Sequence, residues 1–212
     1  MSRRRRVAEV RRDSKEVRIR GRLCLDGSGR YAIASGIPFL DHMLELLAKH
    51  GLFDLRLTAR GDLQVDLHHT NEDLGLALGE AFRRALGGKA GIRRMGSAFV
   101  PMDETLARVR VVVDLSGRPH LQMRWGTGRK ASSYRRGRAH AAHLAYDLDD
   151  ARHFLESFVR ASGVTLHADV LKAGGDIHHL LESVFKALGR ALREAVELDP
   201  RVRGVPSTKG RL

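Results

Sequence analysis

Apolar side chains recur along the chain at two different spacings, which predict short strands and amphipathic helices. Residues 17–25 (VRIRGRLCL) are apolar at alternate positions, as in a half-buried strand, and the Asp26–Gly27 pair that follows favours a hairpin turn. Residues 40–51 (LDHMLELLAKHG) repeat apolar side chains at helical spacing and end at Gly51, which can cap a helix. Residues 52–58 (LFDLRLT) then predict a second strand.

The first half ends in a long helix, and the second half repeats the order of the elements. Residues 72–88 (EDLGLALGEAFRRALGG) predict a long amphipathic helix that ends at its two final glycines. Residues 151–163 then predict a shorter helix, residues 163–171 (GVTLHADVL) a strand, and residues 178–196 another long helix. The pattern therefore predicts two similar successive units.

A histidine motif occurs once in each unit. Residues 66–72 read DLHHTNE and residues 176–182 read DIHHLLE, which share an aspartate, adjacent histidines and a glutamate. A further histidine precedes each motif at nearly the same distance: His42 lies 26 residues before His68, and His153 lies 25 residues before His178. A period of about half the chain indicates an internal duplication rather than a solenoid.

These patterns predict an α/β (α+β) fold in which helices pack on largely antiparallel sheets with pseudo-twofold symmetry. We expect residues 1–212 to form a single domain of two similar halves, approximately 10–95 and 96–212. Residues 1–8, which include four consecutive arginines, are expected to form a basic tail.

Composition narrows the class of protein. With 42% hydrophobic and 30% charged residues in 212, the chain is expected to be globular rather than disordered. No apolar run approaches the roughly 20 residues that span a bilayer, so we expect no membrane association. The basic start has no apolar signal core behind it, and Cys24 is the only cysteine. We therefore expect a cytoplasmic protein.

The net charge of +13 raises the alternative of a nucleic-acid-binding protein. The excess is concentrated in Arg3–Arg6, Arg11–Arg12 and residues 128–138, which read as a tail and a loop. Aromatic residues are only 5% of the chain, few for a surface on which bases stack. Solvated basic segments are the favoured interpretation, and their field also suits a small anionic substrate.

The duplicated motif is well suited to bind metal ions. A histidine and a glutamate four residues apart lie on one face of a helix, whereas the intervening histidine is turned about 100° away. Adjacent histidines therefore suggest two ions, or a site that another segment completes. Shared equally, the candidate ligands give each ion three imidazoles and one carboxylate; they are His42, His68, His69, Glu72, His153, His178, His179 and Glu182.

The coordination number separates two functions. A tetrahedral ion with four such ligands is closed, as in structural zinc sites. An octahedral ion such as Mn²⁺ keeps two positions open for substrate, as a metalloenzyme requires.

The chain resembles the imidazoleglycerol-phosphate dehydratase family through most of its length. The motifs that carry the resemblance are SKE at 14–16, GIPFLDHML at 36–44, DLHHTNEDLGLALGEA at 66–81, GIRRMGSAFVPMDETLA at 91–107, DLSGRP at 114–119, HFLESF at 153–158, GGDIHHLLESVFKAL at 174–188 and GVPSTKG at 204–210.

The resemblance implies a hydro-lyase of histidine biosynthesis that converts imidazoleglycerol phosphate into imidazole acetol phosphate and water. It also implies two Mn²⁺ ions per active site, sites between subunits, and a homo-oligomer of two dozen chains. Glu16 matches the family's active-site glutamate that is not a metal ligand, and so becomes the candidate acid/base. The implied substrate-binding residues are Glu16, Arg94, Arg118, Lys186, Ser207, Thr208 and Lys209.

Two other functions stay open on the residues alone. A two-metal hydrolase of a small phosphorylated substrate could use the same ligands to activate a bridging water. A basic nucleic-acid-binding protein with a structural metal is the non-catalytic alternative, and predicts strongly salt-dependent binding without turnover.

Overall fold

The computed structural model describes residues 5–102, 105–125, 146–171 and 176–212, and the basic stretch at 128–138 lies outside them. The described chain contains two successive runs of three strands, a helix, a strand and a helix. In chain order they are β1 (Val7–Asp13), β2 (Val17–Cys24), β3 (Tyr31–Ala34), α1 (Pro38–Gly51), β4 (Asp54–Gly61), α2 (His68–Leu86), β5 (Met95–Met102), β6 (Thr105–Asp114), β7 (His120–Arg124), α3 (Leu148–Ser162), β8 (Thr165–Val170) and α4 (Ile177–Val196).

Two four-stranded sheets have the same topology. The first has the order β1-β2-β4-β3 and the second the order β5-β6-β8-β7. In each sheet the first two strand pairs are antiparallel and the last is parallel. The predicted α/β fold with duplicated units and largely antiparallel sheets is confirmed. Among the described residues, no helix is both long enough and apolar enough to cross a membrane.

The predicted hairpin at Asp26–Gly27 is wrong. Strand β2 pairs with β1 and β4, whereas β3 lies parallel to β4 at the edge of the sheet. The turn residues belong to a wider loop held by Asp54, whose carboxylate accepts hydrogen bonds from the backbone N–H groups of Ser28 and Arg30 at 2.8 and 3.1 Å. A short-range turn signal could not reveal this contact with a later strand.

The first strand begins within residues 1–8, which the sequence predicted to form a basic tail. Strand β1 begins at Val7, and Ala8 and Val10 are buried opposite Leu23 and Gly21 of β2. The flanking arginines obscured this alternation in the sequence. Residues 7 and 8 are therefore part of the sheet.

Helices α2 and α4 pack on the two sheets, and each carries one shorter helix on its other side. Helix α2 contacts β1, β2 and α3, while α4 contacts β5, β6 and α1. Glycines allow the helices of each pair to approach closely: a Cβ at Gly79 would lie 2.5 Å from the carbonyl oxygen of Phe158 in α3. A Cβ at Gly189 would lie at the same distance from the carbonyl oxygen of Leu47 in α1.

Candidate functional site

The first candidate metal centre lies between α1 and α4. The Nε2 atoms of His42 and His178 lie 3.0 and 2.7 Å from Oε1 of Glu182. The ligand atoms of these three residues lie within 4.8 Å of one another. We call this group the first cluster. His178 and Glu182 share one face of α4, and the Asp176 carboxylate accepts a hydrogen bond from the His178 N–H as the N-cap.

Glu182 is a buried carboxylate, with only 7% of the residue exposed. Burial acts to raise its pKa, but hydrogen bonds with Lys186, His42 and His178 outweigh burial and lower the pKa to about 2. The ammonium group of Lys186 binds Oε2 at 2.5 Å, so Oε1 alone faces the imidazoles. The carboxylate is therefore held in its charged, ligand-competent form.

A second cluster between α2 and α3 contains His68, Glu72 and His153. The rings of His68 and His153 have centroids 5.2 Å apart, and Nε2 of His68 lies 4.0 Å from Oε2 of Glu72. The other oxygen of Glu72 accepts a hydrogen bond from Arg160 at 2.6 Å. The second cluster therefore resembles the first, with one carboxylate oxygen toward imidazole and the other on a cation, but it is wider, since the corresponding His178–Glu182 distance is 2.7 Å.

Each cluster draws on both halves of the chain. His42 in the first half meets the motif of the second, and His153 in the second half meets the motif of the first. Glycines allow the close packing of the helices beside each cluster, since Gly79 follows Glu72 by seven residues and Gly189 follows Glu182 by seven. Residues seven apart lie on one helical face, so the same faces carry the ligands and the close contacts.

The second histidine of each motif is turned away from its cluster. The ring centroids of His68 and His69 are 6.1 Å apart. Nδ1 of His69 instead lies 3.0 Å from Oδ2 of Asp62 and 3.9 Å from Oε2 of Glu16. The Asp62 hydrogen bond, with a smaller effect of the Glu16 charge, raises the pKa of His69. His179 lies 6.0 Å from the ring of His178. One chain thus presents two of the three predicted imidazoles to each cluster.

The candidate phosphate-binding residues form a separate group, with one exception. Arg94 binds both oxygens of Asp114, at 2.7 and 3.1 Å, and donates to the carbonyl oxygen of Pro206 at 2.9 Å. It thereby anchors the segment that carries three candidates, Ser207, Thr208 and Lys209. Lys209 donates its N–H to the Ser207 hydroxyl at 3.2 Å, in a tight turn.

Arg118 is exposed near the end of the same segment. A Cβ at its neighbour Gly117 would lie 3.1 Å from the carbonyl carbon of Leu212. Lys186 is the exception, because it binds Glu182 in the first cluster. Arg94 directly precedes strand β5, whereas Met102 at the other end of that strand contacts Lys186. The eight residues of β5 span roughly 25 Å. Within one chain, the first cluster and the Arg94 group are therefore far apart.

The donor atoms suit a divalent ion that accepts mixed nitrogen and oxygen ligands. Imidazole nitrogen with carboxylate oxygen is a common set for zinc, manganese and iron. Two ligand atoms at right angles around an ion, each about 2.1 Å from it, lie about 3.0 Å apart, close to the observed His42–Glu182 separation of 3.0 Å. The first cluster therefore fits a metal ion.

Comparison with known proteins identifies the family. The family model described as imidazoleglycerol-phosphate dehydratase matches residues 35–192, which include both histidine motifs. The chain belongs to the imidazoleglycerol-phosphate dehydratase family. A dehydratase of this name from Aromatoleum aromaticum is 54% identical over 208 residues, covering 98% of this chain and all of that protein. The dehydratase from Burkholderia multivorans is 51% identical over the same shares.

Solved structures of imidazoleglycerol-phosphate dehydratases share the fold. The crystal structure of the Pyrococcus furiosus protein in complex with (S)-C348 has a TM-score of 0.74 and 34% identity, covering 95% of this chain and 99% of that one. The crystal structure of the Staphylococcus aureus dehydratase has a TM-score of 0.73 and 30% identity, covering 91% of this chain and 99% of that one. The family resemblance inferred from the motifs is thus confirmed, and a hydro-lyase is selected over the hydrolase and nucleic-acid-binding alternatives.

Two polar residues beside the dehydratase motifs were missed by sequence reasoning. Asp62 and Arg160 contact His69 and Glu72 directly, yet neither stands in the repeated motif. Asp62 lies four residues before Asp66, a spacing that carries no signal without knowing where β4 ends. Arg160 lies on α3, and its contact with α2 depends on tertiary packing.

Proposed function

We propose that this chain catalyses the metal-dependent dehydration of imidazoleglycerol phosphate to imidazole acetol phosphate in histidine biosynthesis. The observation that carries the proposal is the pair of His–His–Glu clusters in a chain of this family. Two ions are proposed because there are two clusters, and Mn²⁺ because octahedral coordination leaves positions open for a substrate. Bound ions would supply Lewis acidity to the substrate imidazole.

A large homo-oligomer, of two dozen chains as the family resemblance implies, completes each site in this proposal. Each cluster has two imidazoles of one chain, while His69 binds Asp62 and the ring centroid of His179 lies 6.0 Å from that of His178. The Arg94 group is also remote from the first cluster along β5. A neighbouring subunit that presents its own His69 or His179, together with its phosphate-binding residues, would bring the eight ligands and the substrate contacts together. A cytoplasmic location is part of the same proposal.

Glu16 is assigned as the acid/base. The reaction removes the hydroxyl group from the carbon next to the imidazole and a proton from the following carbon, and the resulting enol becomes the ketone. No carbonyl group acidifies that proton, so a positioned base is needed. Glu16 is more than half exposed and lies 3.9 Å from Nδ1 of His69, beside a candidate ligand and open to a substrate.

The phosphate end of the substrate is assigned to Arg94, Arg118, Ser207, Thr208 and Lys209, and Lys186 is kept as a substrate-binding residue at a different place. Guanidinium, ammonium and hydroxyl groups match phosphate oxygens in charge and hydrogen bonding. The tight turn at Ser207–Lys209, anchored by Arg94, carries two hydroxyls and an ammonium group on three successive residues. Lys186 would take part at the metal end, where it binds Glu182.

The proposal is tested by adding imidazoleglycerol phosphate and Mn²⁺ to the purified chain and following formation of the enolisable ketone. We expect turnover that a chelator abolishes and Mn²⁺ restores. His42→Ala and His153→Ala each remove one imidazole from one cluster and should abolish turnover. The control His120→Ala removes an exposed histidine outside both clusters and should leave it unchanged. Metal-independent turnover, or full activity of either cluster variant, would contradict the proposal.

A further inference from the structure

Asp62 occupies a position from which it can control one of the candidate ligands. It follows the last residue of β4, and its Oδ2 lies 3.0 Å from Nδ1 of His69. The strand end is pressed against the first turn of α2, because a Cβ at Gly61 would lie 1.9 Å from Oγ1 of Thr70. The position of Asp62 opposite His69 is therefore set by packing between β4 and α2.

The environment of Asp62 is unusual for a surface carboxylate. Only 16% of its side chain is exposed, and Oδ1 is buried without a hydrogen-bond partner within the described residues. A buried, partly unsatisfied carboxylate is unfavourable for folding, so a residue of this kind calls for an explanation other than stability. The other aspartates beside the motifs differ, since Asp66 and Asp176 accept from backbone N–H groups of His68 and His178.

A carboxylate on one ring nitrogen of a histidine determines what the other nitrogen can do. When Nδ1–H donates to Asp62, the proton is fixed on that nitrogen and the Nε2 lone pair is directed outward. Carboxylates that bind ligand histidines in this way fix the tautomer and the ring orientation at metal sites. Nε2 of His69 is then the atom available to an ion.

The same contact affects Glu16. Its Oε2 lies 3.9 Å from the same Nδ1, beyond hydrogen-bond distance, whereas Asp62 lies at 3.0 Å. With Asp62 in place, the Nδ1–H already has its acceptor. Without it, Glu16 is the nearest carboxylate that could take over the bond.

We propose that Asp62 is a positioning residue that holds His69 ready to bind metal through Nε2 and keeps the Glu16 carboxylate free for proton transfer. The inference rests on the proposed function for the roles of His69 and Glu16. It adds a residue outside the eight ligands to the machinery of the site, and assigns two effects to one hydrogen bond.

The test compares Asp62→Ala, Asp62→Asn and the matched control Asp73→Asn. The Asp73 side chain is about as buried, at 13% exposed, but it pairs with Arg12 rather than an imidazole. Mn²⁺ affinity is measured by competition with a chelator. We expect a 10–100-fold loss for Asp62→Ala, the usual effect of removing such a partner. The loss should be smaller for Asp62→Asn, whose amide oxygen still accepts from Nδ1–H, and absent for Asp73→Asn.

A second measurement separates positioning from general structural damage. ¹⁵N spectra of the chelator-treated chain, with the His69 signal identified by its absence in His69→Gln, should show a proton on Nδ1 in the wild type and in Asp62→Asn, and a different tautomer distribution in Asp62→Ala. If Asp62→Ala does not fold, Asp62→Asn carries the affinity test, with a loss larger than that of Asp73→Asn expected.

Two outcomes distinguish this inference from the proposed function. Unchanged Mn²⁺ affinity and unchanged His69 tautomer in the folded Asp62→Ala variant would overturn the positioning role, even if the wild type dehydrates its substrate. Weakened affinity with an altered tautomer would support it, even if the wild type proved inactive on imidazoleglycerol phosphate. At saturating Mn²⁺, Asp62→Ala should still show a reduced kcat, because Glu16 is engaged by His69.

Discussion

Replacement of Gly79 by alanine tests whether the close contact between α2 and α3 sets the geometry of the second cluster. The added Cβ would lie 2.5 Å from the carbonyl oxygen of Phe158 and 2.8 Å from Cβ of Ala161. Ordinary contacts begin at 3.4 Å, so α3 would have to move by about 0.9 Å. The obstacle is a backbone carbonyl, which cannot rotate away as a flexible side chain can.

The magnitude follows from two opposing effects. Overpacking of a fitted contact destabilises by about 1–3 kcal/mol, and the rigid obstacle favours the upper end. Alanine in place of glycine inside a helix stabilises by about 1 kcal/mol. We therefore expect a net destabilisation of about 2 kcal/mol, together with weaker Mn²⁺ binding, because His153 moves with α3 away from His68 and Glu72.

The measurement is urea unfolding of the chelator-treated chain at one fixed protein concentration, with Mn²⁺ affinity determined separately. Gly88→Ala is the control, since a Cβ there meets nothing within 4 Å and its backbone is not left-handed. A Gly79→Ala variant that gained about 1 kcal/mol, as helix propensity alone predicts, would refute the reasoning. Gly189→Ala, which meets the carbonyl oxygen of Leu47, should repeat the effect at the first cluster.

Further predictions concern the site residues, the metal ions and one partly buried carboxyl group. Glu16→Gln should keep metal binding, assembly and substrate binding but turn over at least about a hundredfold more slowly. A near-normal kcat would contradict the assignment of Glu16 as the acid/base. Arg94→Ala should weaken substrate binding by roughly 1.5–3 kcal/mol with metal content unchanged, as judged by KM and metal analysis. Chelation should dissociate the oligomer into smaller species, detected by sedimentation, and added Mn²⁺ should restore the large one. Lowering the pH toward 6 should weaken Mn²⁺ binding, because only neutral imidazole binds a metal. Burial raises the pKa of Asp150 to about 6 from 3.8, so the folded chain favours the protonated carboxyl group. The stabilisation that this group contributes is complete below pH 3.8 and is lost as the pH rises through 6. In urea unfolding, Asp150→Asn should therefore lose less stability than the wild type across that pH window.

The helices that carry the ligands were predictable because their signals are local. Apolar residues at helical spacing placed α1, α2 and α4, and the repeated aspartate, histidines and glutamate marked where the long helices begin. Asp66 and Asp176 accept hydrogen bonds from the N–H groups two residues later, but only Asp176 is the N-cap of its helix, since α2 has Leu67 at that position. The i+1 histidines are turned aside, as helical geometry required.

The pairing of segments was not predictable, because it depends on contacts that are distant in sequence. The nearly equal spacing of His42 and His153 to the following motifs does not show that each joins the motif of the opposite half. Strands β3 and β7 are short edge strands that pair in parallel with a later strand, so no turn pattern marks them. Asp62 is positioned by the packing of a strand end on a helix, which composition and spacing do not encode.

The exchange of ligands between halves bears on how the duplicated chain could have arisen. A polypeptide of only the first half would carry His42 and the DLHHTNE motif. It would lack α4, which His42 contacts, and α3, which the motif contacts. Two copies related by the pseudo-twofold axis would supply these to each other and build two identical clusters at once. Joining such copies end to end would preserve every ligand contact, and each cluster could then change independently. The contrasting partners Lys186 and Arg160 on the two glutamates are differences that this freedom permits.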